Sequence, residues 1–182
     1  MRPLLIAAAT ALALIGTTAS AAVVDAAPNG FEVRREVVIA APADRVYAAL
    51  SQPSAWWSGE HTWSGSAASL SLAPMAGGCF CEKLPGGGSV LHMTVVYAQP
   101  GKALRLFGAL GPLQASGASG HLAWTLSEAD GRTTLVQTYD VGGYMKGGLD
   151  RIAPTVDQVL GQQLDRLKAY AETGKAETGK TP

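Results

Sequence analysis

The stretch FEVRREVVIA, residues 31–40, alternates along its length. Phe31, Val33, Val37 and Ile39 fall on one face and Glu32, Arg34 and Glu36 on the other. A two-residue period with one apolar side marks a strand that is half-buried on a core. The period changes at Pro42. In APADRVYAAL the apolar Val46, Ala49 and Leu50 recur at helical spacing, which predicts a short helix over 42–50 with a proline in its first turn. Pro53 is placed to open a second short helix carrying Trp56 and Trp57, and GEHTWSGS follows with no period. Alternation then returns and predicts strands over 69–72, 78–84, 89–98, 103–108, 120–127 and 133–141. The breaks between them carry turn chemistry, with Pro100-Gly101 and Asp130-Gly131 reading as hairpin turns. From Pro154 the pattern is helical again. Val156, Leu160, Leu164, Leu167 and Ala171 recur at three- and four-residue steps, Asp157, Gln158, Asp165, Arg166 and Lys168 fall elsewhere, and Gly174 supplies the stop.

The order is therefore strand, two short helices, six strands and a long helix over 154–172: an α+β domain spanning 31–172. A lone antiparallel sheet must cover one face, and only the terminal helix is large enough to cover it. A curved antiparallel sheet wrapped around that helix encloses a space lined by the apolar strand faces. An apolar concavity of this kind is the default place for a ligand.

Both ends of the chain lie outside that pattern. Arg2, the apolar run from Leu4 to Ile15 and the small-residue triplet Ala19-Ser20-Ala21 have the three-part layout of a secretory signal peptide. The expectation is cleavage after residue 21 and a periplasmic or secreted protein. The apolar run is too short to span a bilayer comfortably, so no stable membrane insertion is expected after cleavage. Residues 22–30 read as a flexible lead and 173–182 as a disordered tail. The tail contains Gly174-Lys175-Ala176-Glu177-Thr178-Gly179-Lys180-Thr181, which satisfies the P-loop pattern. A P-loop needs a strand before it and a helix directly after it. This string follows the last helix, precedes only Pro182, and arises from the tandem repeat AETGK. No nucleotide is expected.

Composition narrows the partners further. The 14 Lys+Arg balance 14 Asp+Glu with no basic run, so neither nucleic acid nor an anionic membrane has an electrostatic footprint here. The histidines His61, His92 and His121 are scattered and read as surface residues, and no metal or other cofactor is expected. Cys79 and Cys81 form a C-x-C. In a regular strand residues i and i+2 lie about 6.5–7 Å apart, at or beyond the usual limit for a disulfide. They read as two small apolar side chains on one strand face, with a metal pair or a redox pair as the sharper alternatives, the metal signal being weak with no other cysteine and no nearby histidine.

The segments VVIAAPADRVYAAL, GGCFCEKLPGGGSVLHMTVVYAQPGKALRL, GALGPLQ and VDQVLGQQLDRLKAY, together with the element order, resemble the START-like or SRPBCC superfamily over residues 31–170. The branch they look like is bacterial and exported. That superfamily includes lipid-transfer START domains, birch-pollen-allergen-like proteins, polyketide cyclases and homologues of an activator of the heat-shock chaperone ATPase. The resemblance implies a helix-grip fold. It assigns no chemistry, because the superfamily shares no catalytic motif.

Candidate binding residues come from the strand faces and loops. Leu122, Trp124 and Leu126 should point inward, as should Met93, Val95 and Tyr97, with His92 and Thr94 outward. Leu104 and Leu106 should also point inward. Leu135, Gln137 and Tyr139 share an inward face, so that an amide and a phenol meet either a ligand or a partner within the protein. Trp57 and Trp63 are placed either to stack on a ligand or to cap the core. Tyr144 and Met145, in the glycine-rich VGGYMKGGLDRIAP, are placed to gate the cavity or merely to connect elements. The binding set is thus Trp57, Trp63, Met93, Tyr97, Leu106, Trp124, Gln137, Tyr139 and Tyr144.

The leading expectation is an exported carrier of a small apolar or amphipathic molecule. A cyclase- or dehydratase-like enzyme is the second, and an inward histidine or carboxylate would favour it. A protein-interaction module is the third, and it requires a filled core with an exposed apolar patch. Oligomeric state is not legible in the sequence.

Overall fold

The computed structural model describes residues 22–176. The expected leader and the part of the P-loop-like string after Ala176 lie outside those residues. Eight strands form one antiparallel sheet in the order β1-β2-β8-β7-β6-β5-β4-β3. They are β1 (Ala22–Ala27), β2 (Gly30–Ile39), β3 (Leu70–Leu72), β4 (Cys79–Lys83), β5 (Ser89–Gln99), β6 (Ala103–Gly108), β7 (Gly117–Ala129) and β8 (Arg132–Tyr144). Helices α1 (Ala43–Leu50) and α2 (Pro53–Trp56) link β2 to β3, and α3 (Ala153–Thr173) closes the domain. The sheet curves, stays open and grips α3: this is the helix-grip fold that the element order implies.

The core lies between α3 and the concave face of the sheet. Leu160, Leu164, Leu167 and Ala171 of α3 are buried against Leu104, Leu106, Leu122, Leu126 and Leu135 in one cluster. Two features fix the helix there. Arg35, on the concave side of β2, donates Nε to Asp157 Oδ1 at 2.8 Å and Nη2 to Asp157 Oδ2 at 2.9 Å, a bidentate pair that is largely buried. Gly161, one turn further on, leaves room for the guanidinium: a Cβ there would fall on it. Asp157, expected on the polar face of the helix, is therefore buried. At the far end Gly174 adopts φ 78° and returns its N–H to the carbonyl of Tyr170 at 2.8 Å, the expected stop.

Residues 22–27, expected as a flexible lead, pair with β2 as an edge strand. The hairpin read at Asp130-Gly131 forms with both residues at positive φ, at 52° and 69°, the geometry that suits a tight β-hairpin.

The largest departure from alternation lies in β5. Cys81 faces Leu91 while Phe80 faces Met93, so His92 is an extra residue on β5. Val95 faces Leu106 while Tyr97 faces Arg105, so Val96 is a second. Each β-bulge inserts one residue and reverses which face the following side chains take. His92, expected outward, is consequently buried beside Met93. Tyr97, expected inward, is 44% exposed, with Arg105 Cζ 5.6 Å above its ring. Gly108 lets the chain pass the first bulge, since a Cβ there would meet the carbonyl of His92 and the backbone of Met93.

Cys79 and Cys81 are joined as a disulfide, with Cα atoms 5.4 Å apart. The spacing assumed for a regular strand does not hold beside a bulge, and the shorter separation is within bonding range.

Candidate functional site

A cavity of about 330 Å³ opens between the N-terminal half of α3, the loop after α2 and the connection between β6 and β7. From α3 and its approach come Ile152, Thr155, Val156, Val159 and Leu160. The loop contributes Trp57, Glu60, His61, Thr62 and Trp63, and the β6–β7 connection contributes Leu110, Gly111 and Pro112. The sheet supplies Leu70, Phe80 and His92. The sequence explains this placement. Pro53 starts a helix only four residues long, Trp57 leaves it in extended conformation, and the chain turns through Gly59–His61 toward the sheet.

The aromatic wall is continuous. Trp57 meets Phe80 edge-on at 5.6 Å between ring centroids, and Phe80 lies 5.0 Å from the His92 ring. Trp57 is buried and donates its indole N–H to the carbonyl of His61 at 3.1 Å. Trp63 is 56% exposed at the rim.

Behind this wall runs a closed ring of hydrogen bonds. Trp63 Nε1 donates to Gln114 Oε1 at 3.1 Å, and Gln114 Nε2 lies 3.4 Å from His92 Nδ1. His92 Nε2 lies 2.9 Å from Glu82 Oε2, and the same oxygen accepts from the backbone N–H of Trp63 at 3.2 Å. Glu82 Oε1 accepts from the backbone N–H of Ser64. Trp63 can only donate and an ionised carboxylate can only accept, so every bond in the ring points toward Glu82. That direction fixes a neutral His92 with its proton on Nε2. Burial pushes the Glu82 carboxyl up, but the bonds from Ser64, Trp63 and His92 outweigh it and hold it below the ordinary glutamate value. Burial pushes the His92 imidazole down and prevails over the raising effect of Glu82. The pair is therefore a buried anion beside a neutral imidazole, with the imidazole on the cavity side.

Of the residues read as candidates, the structure brings Trp57 and Trp63 to the cavity wall. Met93, Leu106 and Trp124 are buried in the core instead. Gln137 is buried too, and its polar atoms have partners within the protein: Oε1 accepts from Trp124 Nε1 at 2.8 Å and Nε2 donates to the carbonyl of Leu160 at 3.4 Å. The Tyr139 hydroxyl accepts from the N–H of Leu110 at 3.3 Å, and burial pushes its pKa upward. Tyr97 lies on the outer face. Tyr144 ends β8 opposite Gly117, is 72% exposed and lies away from the cavity wall.

Alternation did not find Glu82, His92 or Gln114. The available signal was Gly108, a glycine at the end of a strand, which marks a bulge or a close backbone approach.

The fold and its cavity define a helix-grip protein of the SRPBCC type. The model of the family described as polyketide cyclase / dehydrase and lipid transport matches residues 30–172, and the chain belongs to that family. Solved structures agree on the fold. CalU16 from Micromonospora echinospora is 15% identical with a TM-score of 0.59, over 89% of this chain and 88% of that one. An uncharacterised protein from Rhizobium leguminosarum is 20% identical with a TM-score of 0.58, over 85% and 98%. The Aha1 dimer from Colwellia psychrerythraea is 18% identical with a TM-score of 0.55, over 79% and 98%. No functionally curated protein matches the chain in sequence.

Proposed function

We propose that the protein binds a small apolar or amphipathic molecule in the cavity between the sheet and α3, and that it does so in the periplasm or after secretion. The observation that carries this reading is the cavity itself. It is walled mainly by aromatic and aliphatic side chains, and the polar side chains of the ring behind it are engaged with one another. A ligand there gains affinity mainly by leaving water, about 2.5 kcal/mol per 100 Å² of apolar surface buried, before ordering costs. The family description, with lipid transport in it, supports the same reading. The leader-like first 21 residues and the Cys79–Cys81 disulfide support export, because disulfides persist in oxidising compartments. The test is native mass spectrometry of the protein isolated from its host, before and after denaturing extraction. Co-purification of an apolar molecule is expected, as is its loss from a Val156→Trp variant that fills the cavity. A protein that carries nothing and takes up nothing from a panel of lipids and aromatics would sink the reading.

A second reading, a cavity enzyme of cyclase or dehydratase type, is favoured by His92. Its Nδ1 is held by a single long amide contact, and Glu82 would stabilise the imidazolium formed when that nitrogen takes a proton from a bound molecule. It predicts conversion of the co-purified molecule that stops in His92→Gln while binding persists.

A further inference from the structure

We propose that the cavity selects flat aromatic molecules that carry no acid group, and excludes carboxylates, sulfonates and other organic anions, fatty acids among them. The inference rests on the reading that the cavity holds a ligand, and adds its chemical class. Shape comes from the Trp57–Phe80–His92 wall, three rings in mutual contact that line the cavity and offer planar guests aromatic surface to stack on or meet edge-on. Charge comes from what lines and backs it. Among the residues that line the cavity none is a lysine or arginine, and one, Glu60, is a carboxylate at the rim. A second negative charge, Glu82, stands one imidazole ring behind the wall and is 1% exposed. The N–H groups around Glu82 stabilise its charge without neutralising it, and His92 is uncharged. Buried charge is poorly screened, so its field reaches into the cavity. Two influences oppose them: the first turn of α3, which borders the cavity at Ile152 and Thr155 and contributes about half a positive charge, and Arg166, whose Nε donates to the carbonyl of Trp56 beside the lining Trp57. Arg166 is not among the lining residues, whereas Glu60 lines the mouth and the buried Glu82 is bonded to the lining His92, so the negative charges stand nearer to a guest. Anionic ligands that the apolar walls would otherwise accept are thus rejected by repulsion, which is how a cavity of modest shape specificity discriminates among guests.

Two fluorescent probes with one ring system test this. Phenylnaphthylamine is neutral, anilinonaphthalene sulfonate carries an acid group, and both brighten on leaving water. Titrated into the purified protein at low salt, the neutral probe is expected to bind roughly tenfold or more tightly than the sulfonate. Because a neutral molecule also enters any apolar site more readily, the deciding quantity is how the affinity ratio responds to charge. Glu60→Lys is expected to reduce the ratio several-fold, with the melting temperature used to verify folding. On the unmodified protein, raising salt from about 0.01 to 1 M shortens the screening length from about 30 to 3 Å and should reduce the ratio in the same direction. A ratio unmoved by both changes, or a sulfonate that binds as tightly as the amine, overturns the selectivity while leaving the ligand cavity in place. Binding of neither probe overturns both.

Discussion

Glu82→Gln is the substitution with the most to say about the site. The carboxylate takes hydrogen bonds from three donors, the backbone N–H groups of Ser64 and Trp63 and the Nε2–H of His92. An amide of the same shape has one accepting oxygen and one NH₂, so at least one of the three donors must face another donor. The ring cannot relieve the conflict by reversing. If His92 moved its proton to Nδ1 it would confront the Gln114 NH₂. If Gln114 then flipped, its NH₂ would meet the Trp63 indole, which cannot accept. A buried donor left unpaired costs about 1–3 kcal/mol, and bonds to a charged acceptor contribute about 1.5–3 kcal/mol each. The variant should therefore lose about 3 kcal/mol of stability. At about 2–4 °C per kcal/mol for a domain of this size, the melting temperature should fall by about 6–12 °C. Urea unfolding followed by tryptophan fluorescence measures the loss, and the double variant with His92→Gln gives the coupling between the two residues. The loop that holds Trp63 should loosen with it. A loss below about 1 kcal/mol would refute the account of Glu82 as the acceptor that organises the ring.

Acid should weaken the fold through the same pair, and in one direction. The lowered pKa of His92 makes its contribution complete above the ordinary histidine value of 6.5, and this contribution declines as the pH falls toward the folded value. The Glu82 contribution is complete above the ordinary 4.5 and is lost as the pH falls through its depressed folded value. Denaturant titrations across this range should show His92→Gln flattening the limb just below pH 6.5. Gly161→Ala should destabilise by about 2 kcal/mol, because the clash with Arg35 exceeds the roughly 1 kcal/mol that alanine gains in a helix, and calorimetry measures the loss. Reducing Cys79–Cys81 should cost no more than about 1.5 kcal/mol, since a loop this short constrains the unfolded chain little; a larger loss in reductant would mean that the bridge holds β4 against the β5 bulge at His92.

The architecture was legible because it depends on period and punctuation. The strand from Phe31, the proline-started helices, the Asp130-Gly131 hairpin and the helix ending at Gly174 all follow from local chemistry that tertiary packing did not override. Where local chemistry was silent, the reading failed. Nothing in AVVDAA marks it as an edge strand, and its pairing is decided by the neighbouring β2. Arg35 occupies an inward position, and Asp157 was assigned to the solvent face of its helix. A charge at an inward register is a request for a partner, but only the fold shows that the two meet 122 residues apart.

The site was hidden for a sharper reason. Face assignment by alternation carries each error forward, because one extra residue inverts everything after it until a second restores the phase. In β5 the two insertions at His92 and Val96 bracket Met93 and Val95, so these two read correctly while the residues at and beyond the insertions do not. The same displacement builds the site. The first bulge turns into the cavity a histidine that a regular strand would give to solvent, and it does so where Glu82 of the adjacent strand is already buried to receive it. Restoring regular pairing by deleting His92 would do more than remove an imidazole. It would leave Glu82 without its side-chain donor and remove the polar residue that the sheet contributes to the cavity wall. The irregularity that defeats the pattern is thus the feature that places an ionisable pair beside a mainly apolar space, and a search for function in this fold is best directed at the strand positions where alternation breaks.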